Sequence, residues 1–113
     1  PALAPLFGPA SRPEVPIAGR LAGRAVSGQI DRLVITPERI IIADYKTNDP
    51  VPAIVPEAYV TQLALYRRLL QAIHPGRPVE AWIVWTGAPE VVQVEAQALD
   101  AAFAKLGLVS EAV

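Results

Sequence analysis

Asp31, Asp44 and Lys46 are the residues of this chain whose types and spacing could do chemistry. Two carboxylates supply hard oxygen ligands for a cation such as Mg2+, and an ammonium beside them can stabilise charge on a phosphate or orient an attacking water. Phosphodiester hydrolysis requires this equipment. Lysine suits the last task because it is a compact point charge on a flexible stem. An Asp-x-Lys tripeptide alone is more often a surface ion pair, worth about 0–1 kcal/mol, so the case rests on context. The basic residues are eight Arg and two Lys, Lys46 and Lys105, which makes lysine at position 46 a marked choice. Upstream lies Gly28-Gln29-Ile30-Asp31, and downstream Gln62 and Tyr66 stand four apart, adjacent on one helical face. In isolation that pair reads as a solvated glutamine and a core tyrosine. Following an acidic strand, it could instead hydrogen-bond a nucleic-acid backbone or brace the face that carries the acids.

The elements that must position these groups can be read from periodicity. Residues 24–35 alternate as a strand, with Val26, Gly28 and Ile30 on one face and Ser27, Gln29, Asp31 and Leu33 on the other. Thr36-Pro37-Glu38 predicts a turn, and residues 39–46, with three consecutive isoleucines, predict a second strand. Alternation there places Ile40, Ile42, Asp44 and Lys46 together, and Ile41, Ala43 and Tyr45 opposite. If the two strands pair around the turn, Asp31 comes near Asp44. A short strand is expected over 14–21 and no regular structure over 1–13, where four prolines stand. The period changes to 3.6 over 57–74, a helix that Pro75-Gly76 closes. Leu63, Ala64 and Leu70 mark one of its faces, and Tyr59, Gln62, Tyr66, Leu69 and Ile73 a broad neighbouring one. Residues 79–86 and 91–94 read as strands across Gly87-Ala88-Pro89, and 97–108 as a helix with Leu99, Ala102, Phe103 and Leu106 inward. The fold class is α/β, a mixed β-sheet flanked by helices.

Composition bounds what this apparatus can be. With 113 residues, 52% hydrophobic and 19% charged, the chain is one globular domain and lacks the signature of disorder. The absence of Cys excludes a disulfide scaffold, thiolate metal sites and cysteine nucleophiles. No uncharged apolar run approaches the ~18 residues of a membrane span, so a soluble intracellular chain is expected. The net charge is −1 and there is no basic stripe, which argues against strong autonomous affinity for nucleic acid. Beginning at Pro1 with no Met anywhere, the chain reads as processed or as a piece of a larger protein: an extended lead-in over 1–13, then a core domain over 14–113.

Three segments together carry a resemblance: Gly28-Gln29-Ile30-Asp31-Arg32-Leu33, Ile42-Ala43-Asp44-Tyr45-Lys46-Thr47-Asn48, and Gln62-Leu63-Ala64-Leu65-Tyr66. In this order they resemble the RecB-like branch of the PD-(D/E)XK nucleases, and within it the C-terminal nuclease domain of AddA-type helicase–nucleases. The likeness covers about residues 14–86. It implies a restriction-endonuclease-like core, βββαβ plus a C-terminal helix, in which the first core helix of family members has no counterpart. It implies Mg2+, with Mn2+ as a substitute, held by Asp31, Asp44 and the backbone carbonyl of Tyr45. Lys46 would be the catalytic lysine, and Gln62 and Tyr66 the Q-x-x-x-Y element at the nucleic acid. Glu14 matches an acidic position before the first strand but is not counted as a ligand, and His74, beside Pro75, reads as part of the helix end.

Function follows from the same resemblance. It implies a metal-dependent DNA exonuclease domain of a helicase–nuclease, acting in double-strand-break repair by homologous recombination in the bacterial cytoplasm. Partners would be DNA, the helicase region of the parent chain and a second helicase–nuclease subunit, with no membrane. The competing reading is a catalytically inactive nuclease-fold domain serving as a structural or DNA-channel element, with a generic small α/β binding module as the residual. The joint presence of Asp31, Asp44 and Lys46 favours the enzyme, because a dead domain is free to lose them.

Overall fold

The Thr36 side chain sets the hairpin expected between residues 24–35 and 39–46: its hydroxyl donates to the Arg39 carbonyl at 2.9 Å and accepts from the Arg39 N–H at 3.1 Å, while the Thr36 N–H also donates to that carbonyl. Pro37, with no N–H to lose from a ladder, occupies the bend. In the computed structural model, which describes residues 8–48, 50–87 and 90–107, the elements are β1 (Ser11–Leu21), β2 (Arg24–Ile35), β3 (Ile40–Lys46), α1 (Glu57–Ile73), β4 (Val79–Trp85), β5 (Glu90–Val94) and α2 (Ala96–Lys105). They build one five-stranded sheet in the order β1-β2-β3-β4-β5. Neighbours run antiparallel except β3 and β4, which are parallel and joined through α1. The sheet is mixed and the fold α/β, as the periodicity predicts.

β1 begins at Ser11, three residues earlier than expected. Pro13 and Pro16 are tolerated because β1 is an edge strand, where a missing N–H can face away from the sheet, and pairing extends from Ser11↔Val34 to Leu21↔Arg24. Residues 1–7 of the expected lead-in lie outside the described residues, as do Ala88 and Pro89 of the loop before β5. Helix α1 ends where Pro75-Gly76 was expected to stop it: the His74 N–H returns to the Leu70 carbonyl at 2.8 Å, and Gly76 takes φ 90°, a region open to glycine. Among the described residues no helix precedes β1.

The main core lies between the sheet and the two helices. Ile30, Ile40, Ile42, Leu63, Leu69, Leu70, Ile83, Trp85, Leu99 and Phe103 all belong to it. A smaller cluster of Val34, Ile41 and Ala43 fills the opposite face of the sheet, with Trp82 and Val84 packed against it. There Arg39 bridges to Glu80 at 2.9 Å, and the Trp82 indole N–H donates to Glu80 at 3.2 Å. Trp85 and Trp82 fall on opposite faces of the sheet, the first in the main core.

Two assignments of side chains to faces need correction. Leu33 was placed opposite Ile30, yet both belong to the main core while Val34 turns to the other face. Simple alternation fails between them because Glu14 and Asp31, between the paired Pro13↔Arg32 and Val15↔Ile30, mark a local distortion in which Glu14 adopts φ 51°. Leu106, expected to face inward, is 36% exposed, since it lies just beyond the end of α2.

Candidate active site

The distortion that misplaces Leu33 also builds the site. β2 and β3 pair from Ile35↔Ile40 up to Arg32↔Ala43, where their ladder stops. At the next step the Tyr45 N–H donates to Asp31 Oδ2 at 2.8 Å, so a carboxylate takes the place of a strand carbonyl. Asp31 is thereby fixed by the backbone of the strand that carries Asp44. Asp31 is close enough to Asp44 to raise its carboxyl pKa. Both aspartates thus meet where the β2–β3 ladder ends.

Asp44 is 7% exposed, the one charged side chain in the buried set among the described residues. Burial raises its carboxyl above the ordinary value of 3.8; the Lys46 ammonium opposes this, and Asp31, by hydrogen bond and by charge, adds to it. Lys46 Nζ lies 2.8 Å from Asp44 Oδ2. The two form a close ion pair at a site that also holds the Asp31 carboxylate. Two carboxylates facing one ammonium keep an excess of negative charge, which is costly to bury unless a further cation balances it. Together they form an oxygen donor set that fits a hard divalent cation. The set is small: among the described residues there is no group of three or more His, Asp or Glu side chains placed to hold a metal.

Beside the acids, Pro13, Glu14, Asp31, Arg32 and Tyr45 line an open recess of about 350 Å³. Tyr45 is 39% exposed there, in line with its expected position opposite the Ile40–Ile42 stripe. Glu14 lines the recess, in the left-handed backbone region.

Gln62 and Tyr66 sit as the helical spacing predicts, with the Gln62 amide N–H donating to the Tyr66 hydroxyl at 3.2 Å. Tyr66 is 6% exposed, and its ring and hydroxyl lie directly over Gly28. A Cβ on Gly28 would overlap the hydroxyl and come within 2.7 Å of two ring carbons, so the glycine is what admits the tyrosine. The first and third motifs are therefore one packed unit. His74 stands at the far end of α1, away from the acids, where its N–H caps the last turn.

Sequence reasoning missed the residues that surround Lys46. Its ammonium lies 4.2 Å from the centroid of the Tyr59 ring. The Tyr59 hydroxyl donates to Asn48 Oδ1 at 3.1 Å, and its ring meets Trp85 at 6.1 Å between centroids, tilted by 47°. The Lys46 carbonyl accepts from the Thr86 N–H at 2.9 Å and from the Thr86 hydroxyl at 3.2 Å. The available signal was the spacing of Tyr59, Gln62 and Tyr66, three and four apart on one helical face.

Comparison with known proteins places these features. A family model described as the PD-(D/E)XK nuclease superfamily matches residues 6–111. The solved structures similar to this chain include a "Putative exonuclease" from Eubacterium rectale, with a TM-score of 0.62 and 15% identity over 95% of this chain and 44% of that one. A second, the protein designated SSO0001, has a TM-score of 0.54 and 16% identity over 94% of this chain and 55% of that one. The chain thus spans about half the length of these structures. No curated protein matches it.

Proposed function

Because this chain belongs to the PD-(D/E)XK nuclease superfamily, we propose that it is a metal-dependent deoxyribonuclease domain whose site is Asp31, Asp44 and Lys46. Members of the superfamily typically use divalent metal ions. The observation that carries the reading is the meeting of Asp31 with the buried Asp44 carboxylate, whose Oδ2 lies 2.8 Å from the Lys46 ammonium.

Asp31, Asp44 and the backbone carbonyl of Tyr45 would hold Mg2+, with Mn2+ as a substitute. The ion would supply Lewis-acid polarisation of the scissile phosphate and lower the pKa of a water molecule. The chain's own groups do the rest. Asp44 is held in a low-dielectric pocket where charge interactions are strong. The ammonium of Lys46 lies at the rim of that pocket and stabilises charge developing on a phosphate oxygen. Tyr66, sunk onto Gly28, braces the helix, and the partly exposed Gln62 amide faces the nucleic-acid backbone.

The finer reading is a DNA exonuclease domain of an AddA-type helicase–nuclease in double-strand-break repair. Its support is the three-motif pattern together with a chain about half as long as its structural neighbours. In this reading the helicase region and a second subunit deliver the strand, which accords with a net charge of −1.

One observation favours the alternative of an inactive, structural or DNA-channel element: the small donor set, since among the described residues no third acidic or histidine side chain is grouped with Asp31 and Asp44 so as to hold a metal. Cleavage of end-labelled linear DNA in Mg2+ or Mn2+ separates the two. The enzyme reading expects cleavage that Asp44→Asn and Lys46→Ala abolish; cleavage untouched by either variant, or absent while calorimetry detects no metal binding, supports the inactive element.

A further inference from the structure

Lys46 is fixed at both ends. Its backbone is tied to the end of β4 through the Thr86 N–H and hydroxyl, and its ammonium rests between the Asp44 carboxylate at 2.8 Å and the face of Tyr59 at 4.2 Å. Tyr59 is itself held by Asn48 at 3.1 Å and by Trp85, which is 1% exposed and pairs with Lys46 in the β3–β4 register. The ring is therefore packed against the main core and anchored independently of the lysine.

The two neighbours of the ammonium differ in kind. Asp44 is contested: the Asp31 carboxylate stands beside it, and any divalent cation in the site would draw on the same oxygens. An aromatic face attracts an ammonium through its quadrupole, takes no proton and is a poor ligand for a hard cation. Tyr59 can thus hold Lys46 in place whatever Asp44 is engaged in, which the carboxylate cannot do.

We propose that Tyr59 is a positioning residue that keeps the Lys46 ammonium at the catalytic edge of the sheet independently of Asp44. The inference rests on the reading of Lys46 as the catalytic lysine, and the test separates the two. With two lysines in the chain, lysine-labelled protein gives two sets of side-chain resonances, Lys46 and Lys105. The ring should shift the Lys46 ε-methylene protons upfield of those of Lys105, which is 70% exposed beside Glu57. The upfield shift should persist in Tyr59→Phe and in Asp44→Asn and vanish in Tyr59→Leu. Lys46 protons lacking the shift in the unmodified chain, or losing it in Asp44→Asn, overturn the proposal without recourse to any variant of Tyr59. In DNA cleavage, Tyr59→Leu should lower kcat roughly tenfold with little change in KM, and Tyr59→Phe should restore it. Cleavage by Tyr59→Leu at the full rate overturns the proposal while Lys46→Ala still tests the catalytic reading: loss in Lys46→Ala alone condemns only the role of Tyr59, and no loss in either condemns both.

Discussion

Asp44 concentrates the conflict between stability and chemistry in one side chain. Its carboxyl is raised first by burial and further by Asp31, against the pull of Lys46. A raised carboxyl means that the folded state binds its proton more tightly than the unfolded state does. Asp44 therefore contributes most at pH below its unfolded value near 3.8, and that contribution is lost as pH rises through the higher folded value. Two outcomes follow in chelator. Asp44→Asn should melt at a temperature equal to or above the unmodified chain at pH 7, and the difference between them should shift in favour of aspartate as pH falls toward 4. Thermal melts across that range check both. With Mg2+ added, the unmodified chain should gain melting temperature and the variant should not, because a ligand that binds only the folded state stabilises it by mass action.

At the scale of elements, α1 is locked to the sheet at glycines. Gly28 admits Tyr66, and Gly19 faces Leu69, whose Cδ2 would lie 2.7 Å from an added Cβ. The two should respond differently. The Tyr66 ring is wedged and hydrogen-bonded to Gln62, so Gly28→Ala should cost about 1–3 kcal/mol in urea unfolding, as overpacking of a core does, and a second change of Tyr66→Leu should recover part of the loss. The end of Leu69 can rotate aside, so Gly19→Ala should cost less. On the other flank, α2 docks through Leu99, 1% exposed, while Lys105 and Glu57 pair across the surface at 70% and 68% exposure. Leu99→Ala should cost about 2–5 kcal/mol, whereas Lys105→Ala should change stability by less than about 1 kcal/mol. The same urea titrations separate them.

For the whole molecule, charge decides how DNA can be held. Residues 1–48 carry six basic and four acidic groups and residues 49–113 four and seven, for a net charge of −1. A chain that neutralises few phosphates releases few counterions. Fluorescence anisotropy on labelled single-stranded DNA should give weak binding with a log–log salt slope shallower than roughly −2, the value for about three phosphates of a single strand. A steep slope would contradict the reading in which other parts of a larger protein deliver the strand.

The order of elements, the antiparallel pair around Thr36-Pro37, the meeting of Asp31 with Asp44 and the adjacency of Gln62 and Tyr66 were all legible in the sequence. Each depends on separations of a few residues or on one hairpin, where backbone geometry and a periodicity of 2 or 3.6 fix the outcome. Tertiary structure alone decided that Leu33 shares a face with Ile30, that Gly28 is the seat of Tyr66, and that Tyr59 covers Lys46. Those facts arise where the twist of a sheet, an interrupted ladder at Glu14 and Asp31, and the docking of a helix determine which distant side chains touch. Such contacts depend on how elements settle against one another in three dimensions, and no spacing along the chain encodes that.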